Sequence, residues 1–218
     1  VRPSDALQVD EGHEVFDAKT QHLLRDEYRI RQVTKVSENT ISVDAPIRYS
    51  LKTRDSARVV PVEDMVHEVG VEALSFGNLD RDGADGWKEE DYSKEGNNSW
   101  HTHSSSLISI TRVRDAWLKN VESFAPPGSK TGAHMLSNGV LANRCRGLTY
   151  LNCRFGKPQF GGGGGNGYMY RLSEVNESLL KDCVASFSRH GFVFSGMACS
   201  GNVIFQCLDE EGGLQVGG

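Results

Sequence analysis

"VRDAWLKNV" (113–121), "CRGLTYLNC" (145–153), "VNESLLKDC" (175–183) and "CSGNVIFQC" (199–207) align without a gap. The first column reads Val113, Cys145, Val175 and Cys199, and the last reads Val121, Cys153, Cys183 and Cys207. A polar column of Asn120, Asn152, Asp182 and Gln206 precedes the last one. Two residues before it stand Leu118, Tyr150, Leu180 and Ile204. The windows recur after 32, 30 and 24 residues. Self-similarity at such periods means stacked supersecondary units, none of which buries its apolar face alone.

Upstream of each window lies a second strand-like piece: "SLISI" (106–110), "GVLAN" (139–143), "GYMYRL" (167–172) and "GFVFSG" (191–196). "GVLAN" is the equivalent of the other three with a two-residue length difference. Short β-branched and aromatic runs between Gly, Asn, Asp and Ser predict an all-β chain of many short strands. Compact apolar residues in register over rungs of 24 to 32 residues resemble the right-handed parallel β-helix of the pectate lyase-like superfamily, over about residues 70–218. The resemblance implies a solenoid, with an irregular N-terminal β segment (1–66) ahead of the rungs (67–218). Leucine-rich repeats fit less well, since their Leu-x-x-Leu-x-Leu signature is missing and rung length varies.

The five cysteines, Cys145, Cys153, Cys183, Cys199 and Cys207, fall in or beside the repeat. They read as a ladder of free thiols in the core, because Cys behaves as a small apolar residue. Neighbours such as Cys183 and Cys207 would stand close enough to bond. Thiols stacked on a flat ladder do not converge tetrahedrally on zinc.

Ahead of the rungs, "YRIRQVTKVSENTISVDAPI" (28–47) predicts two strands around a turn at residues 37–39. "SARVVPV" (56–62) suggests another strand, and "HEVGVEALSF" (67–76) the first strand of the solenoid. Such segments resemble those that cover the open end of β-helix enzymes. The chain opens without Met and closes on "EEGGLQVGG", which reads as a mature form or an excised piece. A further chain or domain is expected to cover the C-terminal end.

The 218 residues suffice for one sizeable domain. A net charge of -5 supplies no bulk electrostatic case for nucleic acid. No apolar run approaches the ~18 residues of a membrane helix. Asn97 and Asn176 begin Asn-x-Ser sequons. "LDRDGADGW" (79–87) brings Asp80, Asp82 and Asp85 around two glycines, a candidate for Ca²⁺ held by oxygen ligands.

Excursions leave each rung at one corner: 122–138, 154–166, 184–190 and the residues after Cys207. Stacked loops at one corner are where a solenoid builds a binding surface. The second carries "FGGGGGNGYMYRL" (160–172). A phosphate loop would need a following Lys-Ser or Lys-Thr and a helix, and a dinucleotide fingerprint would also need a helix. A strand follows instead. The run therefore reads as a loop lying close to backbone or ligand.

The candidate site residues cluster there. Asn138, Asn166 and His190 each precede a strand and are expected to be neighbours. In a lyase, Arg189, His190 and Tyr168 would remove a proton α to a uronate carboxylate and stabilise the charge. In a glycoside hydrolase, Asp209 would pair with Glu210, Glu211 or Asp182 across the scissile bond. Asn166, Tyr170, Arg171, Lys157, Arg154 and His134 would bind substrate. The expected function is that of a secreted protein acting on a polysaccharide. The alternatives are a structural or adhesive β-helix and a glycan-binding module.

Overall fold

The computed structural model describes residues 29–48, 59–62, 65–196 and 199–213. The N-terminal residues 1–28, residues 56–58 of "SARVVPV" and the last five residues lie outside that set. Residues 59–62 of "SARVVPV" form no strand.

The class is all-β. β1 (Val33–Ser37) and β2 (Thr40–Val43) form an antiparallel hairpin about the turn at Glu38 and Asn39. All other described strands are parallel and lie in three sheets. The first holds β3 (Val66–His67), β4 (Gly70–Glu72), β7 (Val113–Lys119), β10 (Arg146–Leu151), β13 (Leu179–Lys181) and β16 (Val203–Phe205). The second holds β5 (Ser75–Phe76), β8 (Glu122–Ser123), β11 (Arg154–Gly156), β14 (Val184–Ser186) and β17 (Leu208–Glu210). The third holds β6 (Ser106–Thr111), β9 (Asn138–Asn143), β12 (Tyr168–Ser173) and β15 (His190–Ser195). Each strand pairs with its equivalent one coil later, a solenoid-like stack. Residues 66–76 supply an incomplete first coil on the same ladders.

Observed register follows the repeat. Arg114 faces Arg146, Leu118 faces Tyr150, Tyr150 faces Leu180, and Leu180 faces Ile204. Leu118, Tyr150, Leu180, Val121, Cys153 and Cys183 are all at most 2% exposed. Burying one such aliphatic side chain contributes about 1.5–3 kcal/mol. The fourth rung is less covered, with Val203, Ile204, Phe205 and Leu208 each at least 40% exposed.

The five thiols are free. All five reach the preceding coil in one pattern: Cys153 Sγ donates to the Leu118 carbonyl, Cys183 to Tyr150, Cys207 to Leu180, Cys145 to Ile110 and Cys199 to Leu172, at 3.4–3.6 Å. Burial pushes the Cys145, Cys199 and Cys207 thiols above their ordinary range, so they stay protonated.

The corners explain the polar column. Asn120, Asn152, Asp182 and Gln206 all have φ of 50–55°. One left-handed residue turns the strand while its N–H still donates across the ladder, as Asn120 does to the Leu151 carbonyl at 3.0 Å. Asn and Asp tolerate that conformation best. Asn152 also donates to Asn120 Oδ1 at 2.8 Å. Two further columns make the same turn with residues that disfavour it: Arg112, Arg144 and Glu174, then Lys157, Phe187 and Glu211.

The hairpin docks along the side of the stack. Arg31, with only 2% of its side chain exposed, donates to Asn176 Oδ1 at 3.2 Å and pairs with Glu177 at 3.2 Å. Arg48 grips the same Glu177 carboxylate with both terminal nitrogens, at 2.5 and 3.2 Å. Asp44 pairs with Arg146. Asn176, half of the second sequon, is 1% exposed, so a glycan does not fit there in the folded chain. Among the described residues, no helix is long and apolar enough to cross a membrane.

Candidate functional site

All connections between the second and third sheets leave from one corner: residues 77–105, 124–137, 157–167 and 187–189. They pair at their bases. Asn78 N–H donates to His134 O at 3.0 Å, and His134 N–H donates to Lys157 O at 2.9 Å. Gln159 binds the Arg81 backbone twice, accepting from its N–H at 2.9 Å and donating to its carbonyl at 2.8 Å.

The glycine run lies beneath the longest of these connections. A 3-10 turn (Glu89–Ser93) and a short helix α1 (Asn98–Thr102) lie in 77–105. The Tyr92 ring fills the place where Gly164, at φ +71°, would carry a side chain. A Cβ on Gly163 would meet Glu90 Oε1 at 3.1 Å, and one on Gly162 would meet Glu89 O at 3.0 Å. The neighbour that the glycines accommodate is therefore a loop of the same chain.

Asn166 holds this closure and is 0% exposed. Its Oδ1 accepts from Ser104 N–H and Ser137 Oγ, both at 2.8 Å. Its amide donates to Gly163 O at 2.6 Å and to His103 Nδ1 at 3.0 Å. All its hydrogen-bonding capacity is used internally, which leaves none for a ligand. The third-sheet register also differs from the sequence reading by two residues. Tyr168, not Asn166, stands between Asn138 and His190, and Tyr168 N–H donates to Asn138 Oδ1 at 2.9 Å.

Tyr170 is likewise displaced from substrate. It is 0% exposed, stacks on Phe192 at 4.9 Å and donates to Cys153 O at 2.7 Å. Strand alternation turns it inward with Val140 and Phe192.

Tyr168, His190 and Arg171 are brought together: the Tyr168 and His190 rings are 5.1 Å apart, and Arg171 lies 5.4 Å from the Tyr168 ring. Burial lowers the His190 pKa, Arg189 lowers it further, and Asp209 opposes both. Arg189 Cβ packs where Gly167 would carry a side chain. Asp209 and Glu210 do not form a carboxylate pair. They are successive residues on β17, so their side chains point to opposite faces. Asp209 faces Ala185 in an inward column, beside Gly191, Gly212 and Ser188 Oγ at 3.3 Å.

Arg154 is exposed on β11 opposite Glu122. His134 is half-buried, with Nδ1 3.0 Å from Ser123 Oγ. Since Ser123 Oγ accepts from Gly156 N–H at 3.1 Å, its own proton serves His134. Burial, then the Lys157 charge, lowers the His134 pKa and favours the neutral ring.

Asp80, Asp82 and Asp85 do not converge on a cation. Asp80 takes three donors, Ser129 Oγ at 2.8 Å, Lys130 N–H at 2.8 Å and Thr131 N–H at 2.7 Å. These bonds outweigh its desolvation and hold its pKa below the ordinary range. Asp82 pairs with Lys130 at 2.7 Å. Among the described residues no three His, Cys, Asp or Glu side chains form a metal-binding group.

What the corner builds is an open groove of about 970 Å³. Arg81, Asp82, Trp87, Lys130, Lys157 and Phe187 line it. Trp87 Nε1 donates to Gly83 O at 2.8 Å, and Lys157 Nζ stands 5.5 Å from the Phe187 ring centre. Sequence reading selected Lys157, and Phe187 as an aromatic that could stack on a sugar, but missed Trp87 and Arg81, which the Arg81–Gln159 clasp brings to the groove. No family model, curated protein or solved structure matches this chain.

Proposed function

We propose that the chain is a right-handed parallel β-helix that engages an anionic polysaccharide at this corner groove. The carrying observation is that two aromatic side chains, Trp87 and Phe187, share one open groove with three cations, Arg81, Lys130 and Lys157. Aromatic faces pack against the apolar faces of sugar rings. Cations pair with uronate carboxylates, most strongly through hydrogen-bonded contacts. A protein meeting such polymers works outside the cell, so secretion belongs to the same proposal.

The reaction class that best fits is β-elimination. A base takes the proton α to the uronate carboxylate, the electron pair forms a C=C bond, and the glycosidic oxygen leaves. The groove cations would stabilise the enolate-like charge. Hydrolysis fits less well. Its general acid must be protonated near neutral pH, yet Asp80 is held ionised by its three donors, and Asp82 is engaged in an ion pair with Lys130. Those same engagements favour a second reading, binding without turnover.

Affinity electrophoresis against polygalacturonate, alginate, a glycosaminoglycan and neutral glucans tests the assignment. Retention on an acidic polymer, weakened about tenfold or more by Trp87→Ala or Lys157→Ala, is expected. Equal retention on neutral glucans, or intact retention in both variants, would overturn it. Ultraviolet absorbance of an unsaturated product then separates the lyase from the binding module.

A further inference from the structure

The three cations of the corner groove are not equivalent. Lys130 Nζ is engaged by the Asp82 carboxylate at 2.7 Å, and Lys157 Nζ stands over the Phe187 ring. Arg81 supplies the one guanidinium in the groove wall. Its side chain is exposed, and among the described residues it pairs with no carboxylate. Arg81 Nε donates to Asn98 Oδ1 at 2.9 Å. That acceptor is a neutral amide, so the positive charge is not cancelled.

Asn98, the first residue of α1, is half-buried and lies outside the groove wall. Its amide has one workable orientation. Nδ2 donates to the Asp85 carbonyl at 2.8 Å, which leaves Oδ1 to face Arg81.

The 81–87 loop is tied around this side chain. Gly83, at φ +129°, passes so close to Asn98 Nδ2 that a Cβ would overlap it. Ser99 N–H donates to Gly86 O at 3.0 Å, and Trp87 Nε1 closes the loop onto Gly83 O. Gln159 holds the Arg81 backbone from the next coil. One tied loop thus carries both the guanidinium and the indole.

A guanidinium has five N–H donors. With Nε spent on Asn98, four remain on the two terminal nitrogens. That end forms a parallel two-bond fork with a carboxylate, which a lysine ammonium cannot do.

We propose that Arg81 is the residue that reads the uronate carboxylate, with Asn98 as its positioning residue. This rests on the reading of the groove as a site for anionic polysaccharide, and it names what selects an acidic sugar over a neutral one. The sugar face packs on Trp87 while the Arg81 terminal nitrogens take the carboxylate. Lys130, already matched by Asp82, adds little to that choice.

Affinity electrophoresis of the full chain on polygalacturonate, alginate and hyaluronan, each beside its carboxyl-reduced neutral form, is the test. Wild-type protein should be held more tightly by an acidic polymer than by its reduced form. Arg81→Gln should weaken retention on that acidic polymer about tenfold and leave the reduced form unchanged. The loop survives this change because Gln159 grips only backbone atoms of Arg81. Arg81→Lys should recover part of the preference, and Asn98→Ala should lose part of it. Trp87→Ala should weaken both forms alike, since stacking does not read the carboxylate. A preference that persists in Arg81→Gln, or is kept in full by Arg81→Lys, would overturn the assignment and leave the groove reading standing. Wild-type protein held by none of the three acids would overturn the groove reading, and this assignment with it.

Discussion

The Tyr92 ring occupies the space that a side chain on Gly164 would need. Tyr92 also stacks on His103, with ring centres 4.9 Å apart, and His103 is tied to Asn166. The glycine run and the 77–105 connection thus form one packed unit over the corner. Gly164→Ala combines left-handed strain at φ +71° with a steric clash. We expect a loss of about 2 kcal/mol or more in urea unfolding. Adding Tyr92→Ala should recover the clash but not the strain, a coupling that a double-mutant cycle measures.

Two core tyrosines should respond oppositely to loss of the hydroxyl. Tyr150 Oη is buried without a hydrogen-bond partner among the described residues, whereas Tyr170 Oη donates to Cys153 O at 2.7 Å. Tyr150→Phe is expected to be neutral or to stabilise by up to about 1 kcal/mol. Tyr170→Phe should destabilise by about 1 kcal/mol. Thermal and chemical unfolding of the pair checks the contrast.

Acid should weaken the fold through two histidines. His134 and His190 both have folded pKa values below the ordinary 6.5, with burial the main cause. The unfolded chain therefore binds more protons than the folded one as pH falls through 6.5. Stability is fully present above that pH and declines below it, until the folded-state pKa values are passed. A melting-temperature series from pH 8 to 5 should show the decline, and His134→Gln should shallow it. An unchanged slope in that variant would assign the effect elsewhere.

Glu177 is the anchor of the hairpin. It receives Arg48 through two bonds and Arg31 at 3.2 Å. Glu177→Gln leaves buried Arg31 without its countercharge, at a cost of about 3 kcal/mol. Hydrogen exchange should show that loss concentrated in β1 and β2. A loss spread evenly over the rungs would mean that the hairpin is not held by this carboxylate.

The legibility of this chain divides along the ladder. Cys145, Cys153 and Cys183 announce their columns because only compact apolar residues fit the same inward position in coil after coil. Asn120, Asn152 and Asp182 announce a corner because short polar side chains tolerate left-handed backbone. Arg112 and Phe187 make the same turn without any such signal, since there the inter-coil hydrogen bond overrides local preference. Offset in the third sheet was hidden too. Asn138-Gly139 and Asn166-Gly167 look equivalent, but the excursion before Asn166 is folded inward and Tyr168 takes the paired position.

From the amino-acid order alone came the repeat, the all-β class, the register of the first sheet and the gathering of the long connections on one side; the second sheet (β8, β11, β14, β17) lies where the sequence suggested only loops. These follow from periodic burial, which every coil states again. Tertiary structure alone decided what that corner holds. Trp87 and Phe187 lie 100 residues apart in number, and no local pattern relates them. They line one groove because Gln159 clasps Arg81, and because Tyr92 fits only where Gly164 has no side chain. Packing between loops of different coils is set by shape and hydrogen bonding at a distance, which leaves no period in the sequence.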